Sequence, residues 1–198
     1  MKRAPLVVVH RDGQLLADAA AARLVTAIVD AQSSRGEADI VLTGGSMGSA
    51  LLVSLGHCAA RDAIEWRRLN IWWGDERFLP AGDPDRNETQ SRLALLDAVP
   101  LDPARVHAMP ASEGPYGLDV DAAAARYADE LAAAAPRGQD VPEFDVLMLG
   151  VGPDAHVASL FPEHPALHER DASTIGVRGA PKAPPARVSM TCPRLCAG

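Results

Sequence analysis

Residues 145–162, DVLMLGVGPDAHVASLFP, constrain this chain more than any other stretch. The apolar run Val146-Leu147-Met148-Leu149 ends in Gly150-Val151-Gly152-Pro153-Asp154, and His156 follows. A short apolar run closed by glycines predicts a buried strand. In open α/β sheets, ligands bind beyond the carboxyl ends of such strands. That is where the chain places Asp154 and His156.

The rest of the chain supplies partners for that strand. Residues 5–10 are β-branched and predict a first strand, and Asp12 can cap the helix that follows. In that helix Leu16, Ala20, Leu24 and Ile28 recur every fourth residue, giving one apolar face before a loop at 33–36. A second strand at 39–42 runs into Thr43-Gly44-Gly45-Ser46-Met47-Gly48-Ser49, with a helix over 50–55. LNIWW at 69–73 is a third strand, with Gly74-Asp75-Glu76-Arg77 at its end and a polar loop over 80–87. Helices are expected at 88–99 and 119–135, a short strand at 106–108, a loop at 111–117, and strands at 144–149, 174–177 and 188–191. Strands alternating with helices predict an α/β class, a mostly parallel sheet flanked by helices, built as one domain over 1–198.

Charge and cysteine usage exclude several classes. The net charge of −7 favours solubility and argues against a general nucleic-acid binder. Cys58, Cys192 and Cys196 do not make a disulfide framework, and no Cys or His pair completes a zinc site around the last two. They read as reduced thiols. The apolar run at residues 6–9 is too short for a signal-peptide core or a membrane span. A cytoplasmic protein is expected, with no membrane partner.

The chemistry sits at the predicted strand ends. Glycines let a backbone approach a ligand closely, and a helix N-terminus suits phosphate. Gly44, Gly45 and Ser46 are therefore either a phosphate site or a tight strand–helix turn with Ser46 as its cap; the pattern is neither GxGxxG nor a P-loop. Asp75, Glu76 and Arg77 read as a solvated loop or as a site in which Arg77 grips phosphate or steadies an oxyanion. Lys182 and Arg187 are cations on a Pro-rich loop. If these strand ends meet, the set suits a phosphorylated polar small molecule with His156 transferring a proton. The set requires no metal. A Ser–His–Asp hydrolase lacks its GxSxG elbow here.

At these residues the sequence resembles the 6-phosphogluconolactonase family. The matching blocks are TGGSMGSALL (43–52), WWGDERFLPAGDPDRN (72–87), FDVLMLGVGPDAHVASLFPEHPAL (144–167) and APKAPPARVSMT (180–191), in the family's order. The resemblance implies an α/β sandwich like that of the sugar-phosphate isomerases. It implies hydrolysis of 6-phospho-D-glucono-1,5-lactone to 6-phosphogluconate in the oxidative pentose phosphate pathway, without a metal or organic cofactor. The implied partner is the sugar lactone alone, with no nucleic acid, on a monomer or weak homodimer. His156 becomes the general base, with Asp154 and Arg77 beside it as catalytic groups. Gly44, Gly45, Ser46, Asp75, Arg77, Asn87, Lys182 and Arg187 become the substrate-binding set.

The chain departs from the family in three places. Ala155 stands where the family has Gly, which costs about 1 kcal/mol if φ is positive there. Arg86 stands where the family has Ser, adding a bulky charge close to the site. The chain also stops at Gly198, short of the family's further strand and helices, which predicts an uncovered sheet edge. Two rival readings follow. One is a sugar-phosphate isomerase or deaminase, although Val157-Ala158-Ser159-Leu160-Phe161-Pro162 follows the lactonase pattern. The other is a truncated, non-catalytic sugar-phosphate binder.

Overall fold

Two short strands of almost wholly buried residues set the centre of the molecule: β1 (Ala38–Leu42) and β2 (Leu69–Trp73). They pair in parallel, Ala38 opposite Leu69 through Leu42 opposite Trp73. The two-residue β4 (Val146–Leu147) adds to the other side of β1, giving a parallel sheet in the order β2-β1-β4. Strands buried on both faces read as continuous apolar runs, which is why ADIVL and LNIWW were legible. The computed structural model describes residues 5–196; residues 1–4, with the basic start of the chain, and residues 197–198 lie outside the described part.

Helices cover this sheet. The first, α1 (Gly13–Arg35), is capped by Asp12, whose carboxylate accepts from the Leu15 N–H at 2.9 Å, and Gly36 ends it at φ 85°. Its buried face is Ala17, Ala21, Leu24, Val25, Ile28 and Ala31, while Leu16 stays 40% exposed. A strict four-residue stripe drifts by about 40° per step around a helix of 3.6 residues per turn, so the outer end of the predicted stripe turned away from the core. The remaining helices are α2 (Gly45–His57), α3 (Asn87–Ala94), α4 (Val120–Ala134) and the single turn α5 (Cys192–Leu195).

A second, antiparallel sheet was not anticipated. β3 (Asp75–Arg77) pairs with β6 (Arg187–Met190), and β6 pairs with β5 (Thr174–Val177), in the order β3-β6-β5. Gly74 joins the two sheets. Its N–H donates to the Leu42 carbonyl at 3.2 Å, and its own carbonyl accepts from Met190 at 2.9 Å.

Three strand expectations change. Residues 5–10 form no strand: Leu6, Val7 and Val9 are 79%, 81% and 89% exposed. β-Branched composition gives propensity, but a strand needs a partner, and none pairs with this segment among the described residues. The strand at 106–108 reduces to one bridge, Val106 to Ile71. The strand at 144–149 shortens to β4: Met148 still donates to the Val41 carbonyl at 3.0 Å, and the chain turns into the site from Gly150 onward.

Candidate active site

The carboxyl ends of the strands meet, as expected, and enclose an open cleft of about 330 Å³. Thr43 leads out of β1 into Gly44, Gly45, Ser46 and Met47; Asp75 and Arg77 come from β3, Asn87 from α3, and Arg187 from β6. Gly150, Gly152, Pro153, His156 and Ala158 close the opposite wall.

The wall at α2 is a bare helix end. Gly44 is the N-cap, so no side chain satisfies the first-turn N–H groups, and Ser46 lies inside the first turn. That removes the capping role for Ser46. Unsatisfied N–H groups and the positive end of the helix dipole face the cleft, the arrangement that binds anions. Gly44 has to be glycine, because a Cβ there would lie 1.9 Å from the Asn87 Oδ1. Asn87 in turn donates to the Asp75 carbonyl at 2.8 Å.

The pleat of β3 sorts its three charged residues. Successive side chains on a strand point to opposite faces. Asp75 and Arg77 therefore face the cleft, and Glu76 points away into the protein. Arg77 lies directly across the ladder from Arg187, so two guanidinium groups flank one wall. Two residues along the same face of β3 sits the buried Asp75, whose Oδ2 accepts from the Ser159 hydroxyl at 2.6 Å. Burial pushes the Asp75 carboxyl above its ordinary range, while the Ser159 hydroxyl and the Arg187, Arg77 and His156 charges pull the other way. Burial likewise lowers Arg187, with Asp75 opposing that shift. Two cations against one carboxylate leave the wall positive in a chain that is negative overall.

His156 sits in a tight turn. The Gly152 N–H donates to the His156 carbonyl at 2.9 Å, and the Ala155 N–H to the Gly152 carbonyl at 2.9 Å. A Cβ on Gly152 would lie 2.1 Å from the His156 ring, so the close approach demands glycine. The ring rests against Phe161, centroids 4.7 Å apart, and Phe161 also supports the Arg187 guanidinium at 5.6 Å. His156 Nδ1 lies 2.6 Å from the Asp154 Oδ1. The Lys182 ammonium and the His156 contact hold the Asp154 carboxyl far below the usual carboxylate range. An ionised Asp154 can only accept, which assigns the proton to Nδ1 and leaves Nε2 as the basic nitrogen.

Ala155 has φ 64°, and Ala158 and Glu163 nearby have φ 51° and 62°. Three non-glycine residues in the left-handed region flank the histidine, and such strain gathers at functional sites. The alanine strain costs about 1–2 kcal/mol, of which glycine's greater freedom in the unfolded chain takes back roughly 0.5–1 kcal/mol. Ala155→Gly is therefore expected to stabilise the protein by about 0.5–1 kcal/mol and raise Tm by about 1–4 °C, read by calorimetry. An unchanged or lowered Tm contradicts the strain.

Comparison with known proteins fits this geometry. The family model for glucosamine-6-phosphate isomerases/6-phosphogluconolactonase matches residues 11–198. The chain belongs to this family. A Streptomyces coelicolor 6-phosphogluconolactonase is 64% identical over 98% of this chain and 76% of its own length. The Mycobacterium tuberculosis 6-phosphogluconolactonase is 46% identical over 93% of this chain and 74% of its own. The solved 6-phosphogluconolactonase of Trypanosoma brucei superposes with a TM-score of 0.76 at 29% identity, covering 94% of this chain and 76% of that one.

For a member of this family, the sequence-derived set assembles closely. Gly44, Gly45, Ser46, Asp75, Arg77, Asn87, His156 and Arg187 line the cleft, whereas Asp154 and Lys182 stand behind His156, outside the lining. Arg86 does not crowd the site. It is 1% exposed, donating to the Met109 carbonyl at 2.8 Å and the Leu79 carbonyl at 3.2 Å, beside Glu88 and Glu76. Sequence reasoning missed Ser159, the hydroxyl that holds Asp75, and Phe161, the floor beneath His156 and Arg187. Both lie in the 145–162 stretch, where residues 157–162 served only as a family pattern that gave neither side chain a role.

Proposed function

We propose that this chain hydrolyses 6-phospho-D-glucono-1,5-lactone to 6-phosphogluconate, the lactone-opening step of the oxidative pentose phosphate pathway. The observation that carries the reading is His156, held by Asp154 with Nε2 as its basic nitrogen, in a cleft walled by a bare helix N-terminus and two arginines. The 64% identity to a relative named for this activity supports it.

In this reading Nε2 takes a proton from water as the water oxygen bonds to the lactone carbonyl carbon. The first turn of α2, with Arg77 and Arg187, supplies positive charge for the phosphate and for the developing oxyanion. The carbon–ring-oxygen bond then breaks, and the imidazolium returns its proton to the departing ring oxygen. The new carboxylic acid loses its proton to solvent. The same reading puts the reaction in the cytoplasm, on a monomer or weak homodimer.

The test is the loss of freshly generated lactone with and without protein. The expected result is hydrolysis well above the spontaneous rate and no ammonia from glucosamine 6-phosphate. A folded protein that leaves the spontaneous rate unchanged overturns the proposal, and ammonia release redirects it to the deaminases.

A further inference from the structure

The geometry points to Lys182 as a positioning residue for the Asp154–His156 pair, and not as a ligand of the substrate's phosphate. This inference rests on the lactonase reading above for its kinetic test, but not for its spectroscopic one.

Lys182 Nζ lies 2.8 Å from the Asp154 Oδ1, the same oxygen that meets His156 Nδ1 at 2.6 Å. Nζ and Nδ1 are themselves 3.4 Å apart. With Nδ1 protonated, both nitrogens are donors, and that spacing is what two donors converging on one acceptor produce. Asp154 is otherwise an exposed side chain on a turn, free to leave its rotamer. The ammonium fixes the one oxygen on which the imidazole depends.

Lys182 is in turn held by its loop. Arg187 donates from Nη2 to the Lys182 carbonyl at 3.2 Å and the Ala183 carbonyl at 3.1 Å, and from Nε to the Pro184 carbonyl at 3.2 Å. These donors are committed to the loop backbone, so Arg187 does two things at once. It adds charge to the cleft wall, and it staples the 182–184 segment so that the lysine reaches Asp154. The ion pair between Lys182 and Asp154 is exposed, with side chains 41% and 37% accessible. Exposed pairs of this kind add little to stability. Its effect is therefore expected in the alignment of His156 and not in the folding of the chain.

The test compares Lys182→Met, which keeps length and loses charge, with Lys182→Arg, which restores charge. For the Met variant, kcat is expected to fall about ten- to a hundredfold with KM changed less than about twofold, since small misplacements of a reacting group act on kcat. The Arg variant recovers most of the loss, and Tm is the same in all three proteins. A KM raised about tenfold or more with kcat intact overturns the proposal, because it makes Lys182 a substrate ligand. The second readout needs no substrate. Imidazole nitrogen shifts of 15N-labelled protein, taken where His156 is neutral, are expected to show the Nδ1–H tautomer in wild type and a mixture of tautomers in Lys182→Met. A Met variant that keeps the wild-type tautomer overturns the proposal. If wild type does not hydrolyse the lactone, the function falls, while the tautomer experiment still decides the role of Lys182.

Discussion

Replacing His156 by alanine is expected to lower kcat for lactone hydrolysis by about 10²–10⁴-fold, the span that a positioned general base contributes. The variant loses the imidazole nitrogen that Asp154 aligns in the cleft, while Arg77, Arg187 and the α2 N-terminus still hold the anionic substrate. KM should change little for that reason. The fold should survive, since His156 sits on a surface turn, although Phe161 loses a ring contact. Steady-state kinetics on freshly made lactone decide the matter. A variant that retains wild-type kcat removes His156 from the chemistry, and one that raises KM alone makes it a binding group.

The second large effect is on stability. Glu76 is 1% exposed, and its carboxyl accepts from the backbone N–H of Arg77 at 2.7 Å, of Asn87 at 2.7 Å and of Glu88 at 2.9 Å. It also faces Arg86 at 3.7 Å. Arg86, the N-cap of α3, offers that helix no side-chain cap, so a carboxylate from β3 caps it instead. Glu76→Ala strands these donors and leaves Arg86 with Glu88 as its nearby carboxylate. Breaking a buried charge network in this way costs about 3–5 kcal/mol. Denaturant unfolding should show a lower midpoint with a similar slope, and a loss under about 1 kcal/mol contradicts the account.

Glu76 also carries a pH signature. Burial pushes its carboxyl from the ordinary 4.5 up to about 7, with Arg86 and the three N–H groups opposing. Between those values the native protein holds a proton that the unfolded chain has released. Stability from this group is thus complete below 4.5 and is lost as pH rises through about 7. The gap between wild type and Glu76→Ala should narrow across that window.

Much of the site was legible because glycines and strand ends mark it. Gly44-Gly45-Ser46 follows β1, and Asp154 and His156 follow β4, as the pattern of apolar runs and glycines indicated. Glu76 was not separable from Asp75 and Arg77, because that needs the pleat of β3, a three-residue strand whose pairing with β6 joins residues more than 100 positions apart. No local period announces so short a ladder. The role of Lys182 was hidden for a related reason: its partner, Asp154, is 28 residues away across a loop held by backbone carbonyls. Residues 5–10 failed in the opposite direction, showing strand composition without a partner strand.

Gly74 has a consequence for the width of the cleft. The α2 N-terminus hangs from the parallel sheet, and the two arginines hang from the antiparallel one. One residue bonds to both sheets, so it acts as the fixed jaw of a caliper whose gap is the span between helix and guanidinium groups. The spacing of the α2 N-terminus from Arg77 and Arg187 is thus tied to a residue outside the cleft lining.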